Sequence, residues 1–270
     1  MSDPIPVARN DLEAGLTMLG LRAGARVMVH SSLSSFGKVE GGPDAVIRAL
    51  KAIVGTSGTI LMPSFNHGAP FRPDGSGVFD PAVTPTTNGA IPDRFWRLPE
   101  THRSLNPTHS FAAWGSGAQE IVGEHHLGTT MGPGSPLHRL WEADGQVLLM
   151  GVGFLANTFH HVVESSVGAP CLGERREEYP VRMPDGTTEM IATWGWRAGR
   201  CPITDEDRYG PILMESGTVR QRTIGTALCL LFSMDDCHRV VSRLLGAGLP
   251  PFPPCSRCPI RPRRVRWTVR

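Results

Sequence analysis

Two short apolar segments on either side of an amphipathic segment constrain the fold of this 270-residue chain more than any other feature. Arg26–His30 and Thr59–Met62 have the length and apolar content of buried strands, and Pro43–Val54 has apolar residues at helical spacing. A strand–helix–strand order predicts parallel strands joined by a right-handed crossover. We therefore expect an α/β protein with three α/β/α layers and a mostly parallel central sheet.

The rest of the chain adds elements of the same kind and one antiparallel region. Further helices are predicted at Asp11–Leu19, Ala90–Leu98, Asn157–Ser166 and from Ser233 to Leu245, and further strands at Ser110–Trp114 and Gln146–Met150. Tyr179–Met183 and Glu189–Trp194 flank Pro184-Asp185-Gly186, a turn sequence that indicates an antiparallel hairpin.

We expect a single domain over residues 1–270. Its α/β core occupies 1–170, antiparallel strands and a last helix occupy 171–250, and an irregular basic tail occupies 251–270. The apolar runs are too short to span a bilayer and the polar start lacks a secretory signal, so we expect a cytoplasmic protein without a membrane partner.

The net charge of +2 conceals an uneven distribution. Six of the 27 basic residues lie in Arg257–Arg270, which has no acid, so the rest of the chain carries 21 basic and 25 acidic residues. An acidic body suits a cationic small-molecule substrate. The tail could contact phosphates, but we interpret it as a solvated end and expect no nucleic-acid partner.

The six cysteines do not form a disulfide framework in a cytoplasmic chain of this size. Cys255-Ser-Arg-Cys258 has the spacing of metal ligands, and Cys201 could supply a third thiolate, with a His or Cys171 as the fourth ligand. A structural zinc site is therefore one interpretation of these residues. Cys229 lies in an apolar run and is predicted to be buried in the core.

Gly151-Val152-Gly153-Phe154-Leu155-Ala156 matches the GxGxxA fingerprint of dinucleotide-binding proteins, because it follows a predicted strand and precedes a predicted helix. Glu174 lies about 20 residues further on, where an acid can bind a ribose. However, a hairpin follows instead of another parallel strand. A tight turn without a nucleotide explains the glycines equally well, so an NAD(P)-binding oxidoreductase is kept as an alternative.

Two groups of polar residues could carry chemistry. His161 and Glu164 are three residues apart and share a face of their predicted helix, whose positive end favours a neutral imidazole, as a general base requires. A purely structural histidine is an equal interpretation. His30-Ser31-Ser32 ends the first strand, where ligands collect in open α/β sheets, and its hydroxyls and amides could bind phosphates or a carbonyl oxygen.

From Val27 to Leu245 the chain resembles the aminoglycoside 3-N-acetyltransferase family, whose fold differs from that of the GNAT acetyltransferases. The resemblance is carried, in chain order, by VMVHSSLSSFG, GGPDAVIRAL, GTILMPSF, FDP, TPTTNGAIPDRF, RSLNPTHSFAAWG, GSPLHRLWEADGQVLLMGVG, NTFHHVVE and GTVRQRTIGTA. It departs from the family at Asn106, where many relatives have His, and at Phe154-Leu155, where His and Asp are common.

The resemblance implies acetyl transfer from acetyl-CoA to the 3-amino group of a 2-deoxystreptamine antibiotic, within a ternary complex and without an acyl-enzyme. His161 and Glu164 fall on the family's NTxxHxxE motif and are the expected catalytic residues. Expected cofactor contacts are His30, Ser31, Ser32, Leu33, Ser34, Thr86, Gly151, Val152 and Gly153. Expected substrate contacts are Asp80, Asn157, Glu164, Asp205, Glu206 and Asp207. Another natural amine as acceptor, and either a monomer or a homodimer, remain open.

Overall fold

The structure, a computed structural model, describes residues 5–66, 77–169, 172, 177–195, 201, 204 and 208–246. A seven-stranded sheet lies at its centre. The strands are Arg26–Ser31 (β1), Thr59–Pro63 (β2), His102–Arg103 (β3), Phe111–Gly115 (β4), Gln146–Met150 (β5), Arg220–Ile224 (β8) and Ala227–Ser233 (β9). Glu177–Arg182 (β6) and Thr188–Thr193 (β7) form a separate two-stranded sheet.

The strand order is β3-β4-β2-β1-β5-β9-β8. β1 pairs in parallel with β2 and with β5, whereas β4, β9 and the two edge strands pair antiparallel. The expected α/β class and the β6–β7 hairpin are confirmed, and the parallel pairing is confined to the three central strands. β8 and β9, from the C-terminal part of the chain, complete the same sheet that the N-terminal strands begin.

Helices cover both faces of the sheet, which confirms the three-layer prediction. One face carries Arg9–Leu19 (α1), Gly42–Val54 (α2) and Ala90–Trp96 (α3). The other carries Ala118–Val122 (α4), Pro136–Glu142 (α5), Phe159–Ser166 (α6), Tyr209–Glu215 (α7) and Met234–Gly246 (α8). None of the helices in the described part of the chain has both the length and the apolar character that a membrane crossing requires.

The alternation of side chains along each strand builds two cores. In β1, Val27 and Val29 pack towards α1 and α2, whereas Met28 packs towards α5 and its neighbours. The strand therefore reads as a continuous apolar run, as expected of a strand buried on both faces. Cys229 is fully buried in the first of these cores, as its apolar surroundings in the sequence predict.

The turn after β5 explains the glycine fingerprint without a nucleotide. Gly151 has φ +68°, and a Cβ at this position would lie 2.4 Å from the Cβ of Ser35. The turn continues into a 3-10 helix, Phe154–Ala156, before α6 begins. The second neighbour of β5 is the antiparallel strand β9, so the described residues do not form the strand arrangement of a dinucleotide-binding fold, and the oxidoreductase alternative gains no support.

Candidate active site

A cavity of about 610 Å³ opens beside the carboxyl end of β1. Its lining residues are Ser31, Ser32, Leu33, Ser34, Gly37, Val39, Gly42, Thr87, Asn88, Gly89 and Ala90. The four residues of the Ser31–Ser34 segment, all predicted to contact the cofactor, therefore line one cavity. Ligands collect at strand ends of this kind in open α/β sheets.

The walls of this cavity leave backbone and hydroxyl groups accessible. Gly42 begins α2 and Gly89 precedes α3; both have positive φ, and a Cβ on either would meet no atom within 4 Å. The Ser31 hydroxyl is buried and has no hydrogen-bond partner among the described residues. A hydroxyl without a partner at the edge of a cavity is available to donate to a bound ligand.

Thr86 supports the cavity wall without lining it, and its predicted cofactor contact stays a prediction. Its Oγ1 donates to the Phe65 carbonyl at 2.7 Å and lies 2.8 Å from Asn88 Oδ1. Asn88 Oδ1 also accepts from the Phe65 amide at 2.6 Å, and the Thr87 amide donates to the Phe65 carbonyl at 2.8 Å. Thr87 and Asn88, within the TPTTNG motif, are the residues that reach the cavity.

The predicted cofactor residues of the β5 turn line a different cavity. Gly151, Val152 and Gly153 border a space of about 390 Å³ whose other walls are Phe154, Met214, Leu228 and Leu230. These walls are apolar side chains and glycine backbone. The structure thus separates the two sets of residues that the sequence places in one site.

The expected catalytic pair is formed on α6. His161 Nδ1 lies 2.9 Å from Glu164 Oε2, and Glu164 is fully buried while His161 is about one-fifth exposed. The other carboxylate oxygen accepts from Thr204 Oγ1 at 2.6 Å. Because the carboxylate accepts from Nδ1–H, it holds the neutral imidazole in the tautomer whose Nε2 is an acceptor. Thr204 is 40 residues from Glu164 in the chain, and no motif indicates its role.

His30 connects the cavity to this pair instead of lining the cavity. It is buried, and its Nε2 lies 3.4 Å from the Thr158 amide and 3.3 Å from Thr158 Oγ1. Burial lowers the pKa of His30 to about 3, so the ring is neutral and its Nε2 accepts from the Thr158 amide. Thr158 precedes α6, and its carbonyl accepts from the His161 amide at 3.1 Å. The structure thus gives His30 an anchoring role, and its predicted cofactor contact stays a prediction.

Asn157 is also anchored within the protein, and its predicted contact with substrate stays a prediction. It is fully buried, and its Nδ2 donates to the Tyr209 hydroxyl at 3.2 Å and to Cys237 Sγ at 3.5 Å. Its Oδ1 accepts at 3.1 Å from the amide of Phe159, the first residue of α6.

Of the remaining predicted site residues, Asp80 makes a local hydrogen bond, and the others lie outside the residues that the structure describes. Asp80 Oδ1 accepts from the Ala82 amide at 2.8 Å, which forms a local turn outside both cavities. Asp205, Glu206, Asp207, Glu174, Cys171, Cys255 and Cys258 lie outside the described residues.

The zinc prediction gains no support. Cys201 is buried and belongs to the apolar core. In the part of the chain that the structure describes, the group with metal-ligand proximity is His160, His161 and Glu164, whose ligand atoms lie within 4.8 Å of one another. Cys201 does not belong to it.

Comparison with known proteins decides the family. Residues 28–246 match the family model described as aminoglycoside 3-N-acetyltransferase. The chain belongs to this family. It is 41% identical over 162 residues to the aminoglycoside N(3)-acetyltransferase IV of Salmonella sp, an alignment that covers 59% of each chain. It is 36% identical over 199 residues to the aminoglycoside N(3')-acetyltransferase-like protein YokD of Bacillus subtilis (strain 168), covering 64% of this chain and 73% of the relative.

Solved structures of the family match over more of the chain. AAC-IIIb in a binary complex with CoASH superposes with a TM-score of 0.79 at 30% identity, covering 90% of this chain and 97% of that one. A histidine-to-alanine mutant of AAC(3)-IVa in complex with a gentamicin gives a TM-score of 0.79 at 31% identity, covering 96% and 97%.

Two departures from the family pattern are now explained by packing. Asn106 is fully buried, and its Oδ1 accepts from the amides of Thr108 and His109 at 3.2 and 2.9 Å, so it shapes a turn. Phe154 is buried against the rings of Tyr209 and Phe232, each with a centroid distance of 5.6 Å. At these two family positions this chain has a turn-forming amide and an apolar ring.

Proposed function

We propose that this protein is an aminoglycoside N(3)-acetyltransferase, which transfers acetyl from acetyl-CoA to the 3-amino group of 2-deoxystreptamine antibiotics and so confers resistance. The observation that carries the proposal is the His161–Glu164 pair on α6. It is tied through Thr158 and His30 to the strand whose end lines the larger cavity. The strand β1 thereby contacts both the proposed general base, through His30 and Thr158, and the proposed cofactor cavity, through Ser31.

The larger cavity is the proposed site of acetyl-CoA. Its volume of about 610 Å³ falls in the range of cofactor sites, and its walls offer serine hydroxyls and glycine backbone. The CoASH complex of AAC-IIIb, a relative of the same fold, supports this choice of co-substrate. Because acetyl-CoA is an intracellular metabolite, the proposal places the protein in the cytoplasm.

His161 is the proposed general base. An aminoglycoside amine is mostly protonated at neutral pH and cannot attack a thioester until it loses a proton. Nε2 of His161 accepts that proton, and the carboxylate of Glu164 stabilises the imidazolium through Nδ1–H. The freed lone pair of the amine then bonds to the thioester carbon. As the carbon–sulfur bond breaks, the nitrogen loses its second proton to the CoA thiolate, and the imidazolium returns the first proton to solvent. General-base assistance contributes roughly 10²–10⁴ to the rate.

The proposed donor to the tetrahedral oxyanion is the Ser31 hydroxyl, because it is buried at the cavity without a partner among the described residues. The sequence alone also suggests backbone amides of the Ser31-Ser32 turn. The Ser32 amide, however, donates to the Met150 carbonyl at 2.9 Å, so this amide is already occupied.

The cationic acceptor is proposed to bind beside Glu164. Thr204, which donates to this carboxylate, immediately precedes the acidic segment Asp205–Asp207. Several carboxylates near one cleft would attract a polycation, and substrate binding would weaken as salt rises.

The test is a thiol-release assay with acetyl-CoA against a panel of aminoglycosides, including compounds that lack a free 3-amine. We expect turnover only with acceptors that carry this amine, with the product acetylated at that nitrogen by mass spectrometry. If unrelated amines support thiol release but none of the aminoglycosides does, the result would favour another natural acceptor. Absence of turnover across the panel would refute the resistance function.

A further inference from the structure

Arg103, at the end of β3, connects two segments of chain beneath the cavity wall. Its guanidinium is largely buried, yet no carboxylate oxygen among the described residues lies within ion-pairing distance of it. Burial lowers the pKa of Arg103 to about 9, so the group is still a cation at neutral pH. Burial of an unpaired cation is costly, so its other contacts must offset that cost.

Those contacts are hydrogen bonds to oxygen atoms of two chain segments, one at Ser64, directly after β2, and the other at Pro81 and Thr84. Nη2 donates to the Ser64 carbonyl at 2.9 Å and Nε donates to Ser64 Oγ at 3.1 Å. Nη1 donates to the Thr84 carbonyl at 2.5 Å and to the Pro81 carbonyl at 3.3 Å. One planar group thus joins the residue that follows β2 to the residues that precede the cavity wall.

Two aromatic rings hold the guanidinium in this position. Its central carbon lies 4.3 Å from the ring centroid of Trp96 and 5.2 Å from that of Phe79. Cation–π contact with a desolvated guanidinium is favourable, so the rings contribute to offsetting its burial. Trp96 belongs to α3, whose first residue, Ala90, also lines the cavity.

The segment that Arg103 holds leads directly into the cavity wall. Thr84 is three residues before Thr87, which lines the cavity with Asn88. The Thr87 amide donates to the carbonyl of Phe65, the residue next to Ser64. The two chain segments are therefore connected in two ways, through Arg103 and through several direct hydrogen bonds of Phe65, and the direct bonds form the wall itself.

Given the function proposed above, we propose that Arg103 is a positioning residue for acetyl-CoA: its guanidinium sets the spacing of Ser64 and Thr84 and thereby the placement of Thr87 and Asn88 in the cavity wall. Lysine at this position would keep a charge but would donate from a single nitrogen. It could not reach both segments as the planar guanidinium does.

The experiment compares Arg103→Met with Arg97→Met. Arg97 is the matched control, because it stacks on the same Trp96 ring at 4.1 Å and its hydrogen bonds go to Asp93 instead of Ser64, Pro81 or Thr84. For Arg103→Met we expect the Kd of CoA, measured by titration calorimetry, and the KM of acetyl-CoA to rise roughly tenfold or more. The KM of the aminoglycoside and the kcat at saturating acetyl-CoA should stay within roughly threefold, and Arg97→Met should match the wild type.

Amide hydrogen exchange supplies a readout that does not depend on activity. The Thr87 amide should exchange faster in Arg103→Met than in the wild type or Arg97→Met, because its partner segment is no longer held. If Arg103→Met lacks a cooperative thermal transition, Arg103→Lys replaces it and must give the same rise in the Kd of CoA and the same faster exchange.

An unchanged Kd of CoA in a folded variant would overturn the inference. So would equal losses for both substrates together with a lower Tm, since these would indicate a general structural role. Failure of the wild type to bind CoA would instead defeat the proposed function, and this inference with it, so the two failures are distinguishable.

Discussion

Replacement of Glu164 by glutamine tests the catalytic pair most directly. Glutamine has nearly the shape of glutamate, and its amide oxygen can still accept from His161 Nδ1–H, while the Thr204 hydroxyl can turn to accept from the amide NH₂. The substitution therefore removes the negative charge while it preserves the hydrogen-bonded geometry. If the carboxylate stabilises the imidazolium that forms as His161 takes the proton, kcat must fall even though the site remains assembled.

The magnitude follows from the type of bond that is lost. A hydrogen bond to a charged group contributes about 1.5–3 kcal/mol and a neutral one about 0.5–1.5 kcal/mol, so the charge accounts for about 1–2 kcal/mol. At 25 °C this corresponds to a decrease in kcat of roughly 5- to 30-fold. His161→Ala removes the base itself and should lower kcat by at least roughly a hundredfold, with CoA affinity retained.

The assay is steady-state thiol release with both substrates saturating, on variants whose Tm and circular dichroism match the wild type. Glu142→Gln is the matched control: Glu142 Oε2 lies 3.2 Å from His138 Nδ1 on α5, and this pair, whose carboxylate is exposed, lies outside both cavities. This control should retain wild-type kcat. Glu164→Gln should cost nothing further in an enzyme that already carries His161→Ala, because the carboxylate acts through the ring.

Two results would refute this reasoning. Wild-type kcat in Glu164→Gln would mean that the carboxylate supplies no charge to the reaction. An undiminished effect of Glu164→Gln in the His161→Ala background would mean that Glu164 acts on another group, such as the substrate amine.

Two further predictions concern stability. Gly151→Ala should lower the free energy of unfolding by roughly 1–3 kcal/mol, because Gly151 combines a positive φ with a close approach to Ser35. Gly153→Ala is the control and should be nearly neutral, because Gly153 has extended backbone and open space around it. Equal Tm values for the two variants would contradict this prediction. Burial lowers the pKa of His30 to about 3 and that of His125 to about 4. The unfolded chain therefore protonates these rings near pH 6.5, whereas the folded chain does not. Because the unfolded state binds more protons, stability is lost as pH falls through 6.5. Urea unfolding should show a loss of roughly 2 kcal/mol per ring between pH 7.5 and pH 5, and a flat profile would count against neutral buried rings.

The regular elements that carry a strong apolar period are the ones that the sequence predicts well. α2 begins within one residue of its prediction, because a helix with a wide apolar stripe has only one face that can be buried. β8 has four exposed residues followed by a buried one, so this edge strand gives no alternation to detect. β3 has two residues and is defined by its pairing with β4, which no local pattern encodes.

The site is predictable to the extent that its residues lie near one another in the chain. The spacing of His161 and Glu164 on one helix predicts their contact, and the contact is found. Thr204 and Arg103 lie far along the chain from the residues that they bond. A single hydroxyl or guanidinium of this kind belongs to no repeating sequence pattern, so its contact cannot be predicted locally. The family resemblance assigns His30 and Thr86 to cofactor contact by their position in motifs, whereas the structure gives their polar atoms to neighbouring backbone.

The register of the central strands explains why these supporting residues matter for an enzyme with two substrates. β1 and β5 are parallel neighbours with His30 opposite Leu149 and Ser31 opposite Met150, so the cavity and the segment that leads to α6 leave the sheet at the same edge. Ser31 faces the cavity, while the adjacent His30 bonds the residue that precedes α6. Two consecutive residues of one buried strand therefore connect the cavity with the segment that leads to His161. A strand buried on both faces has little freedom to shift, which suits a reaction that depends on holding a thioester and an amine in one geometry.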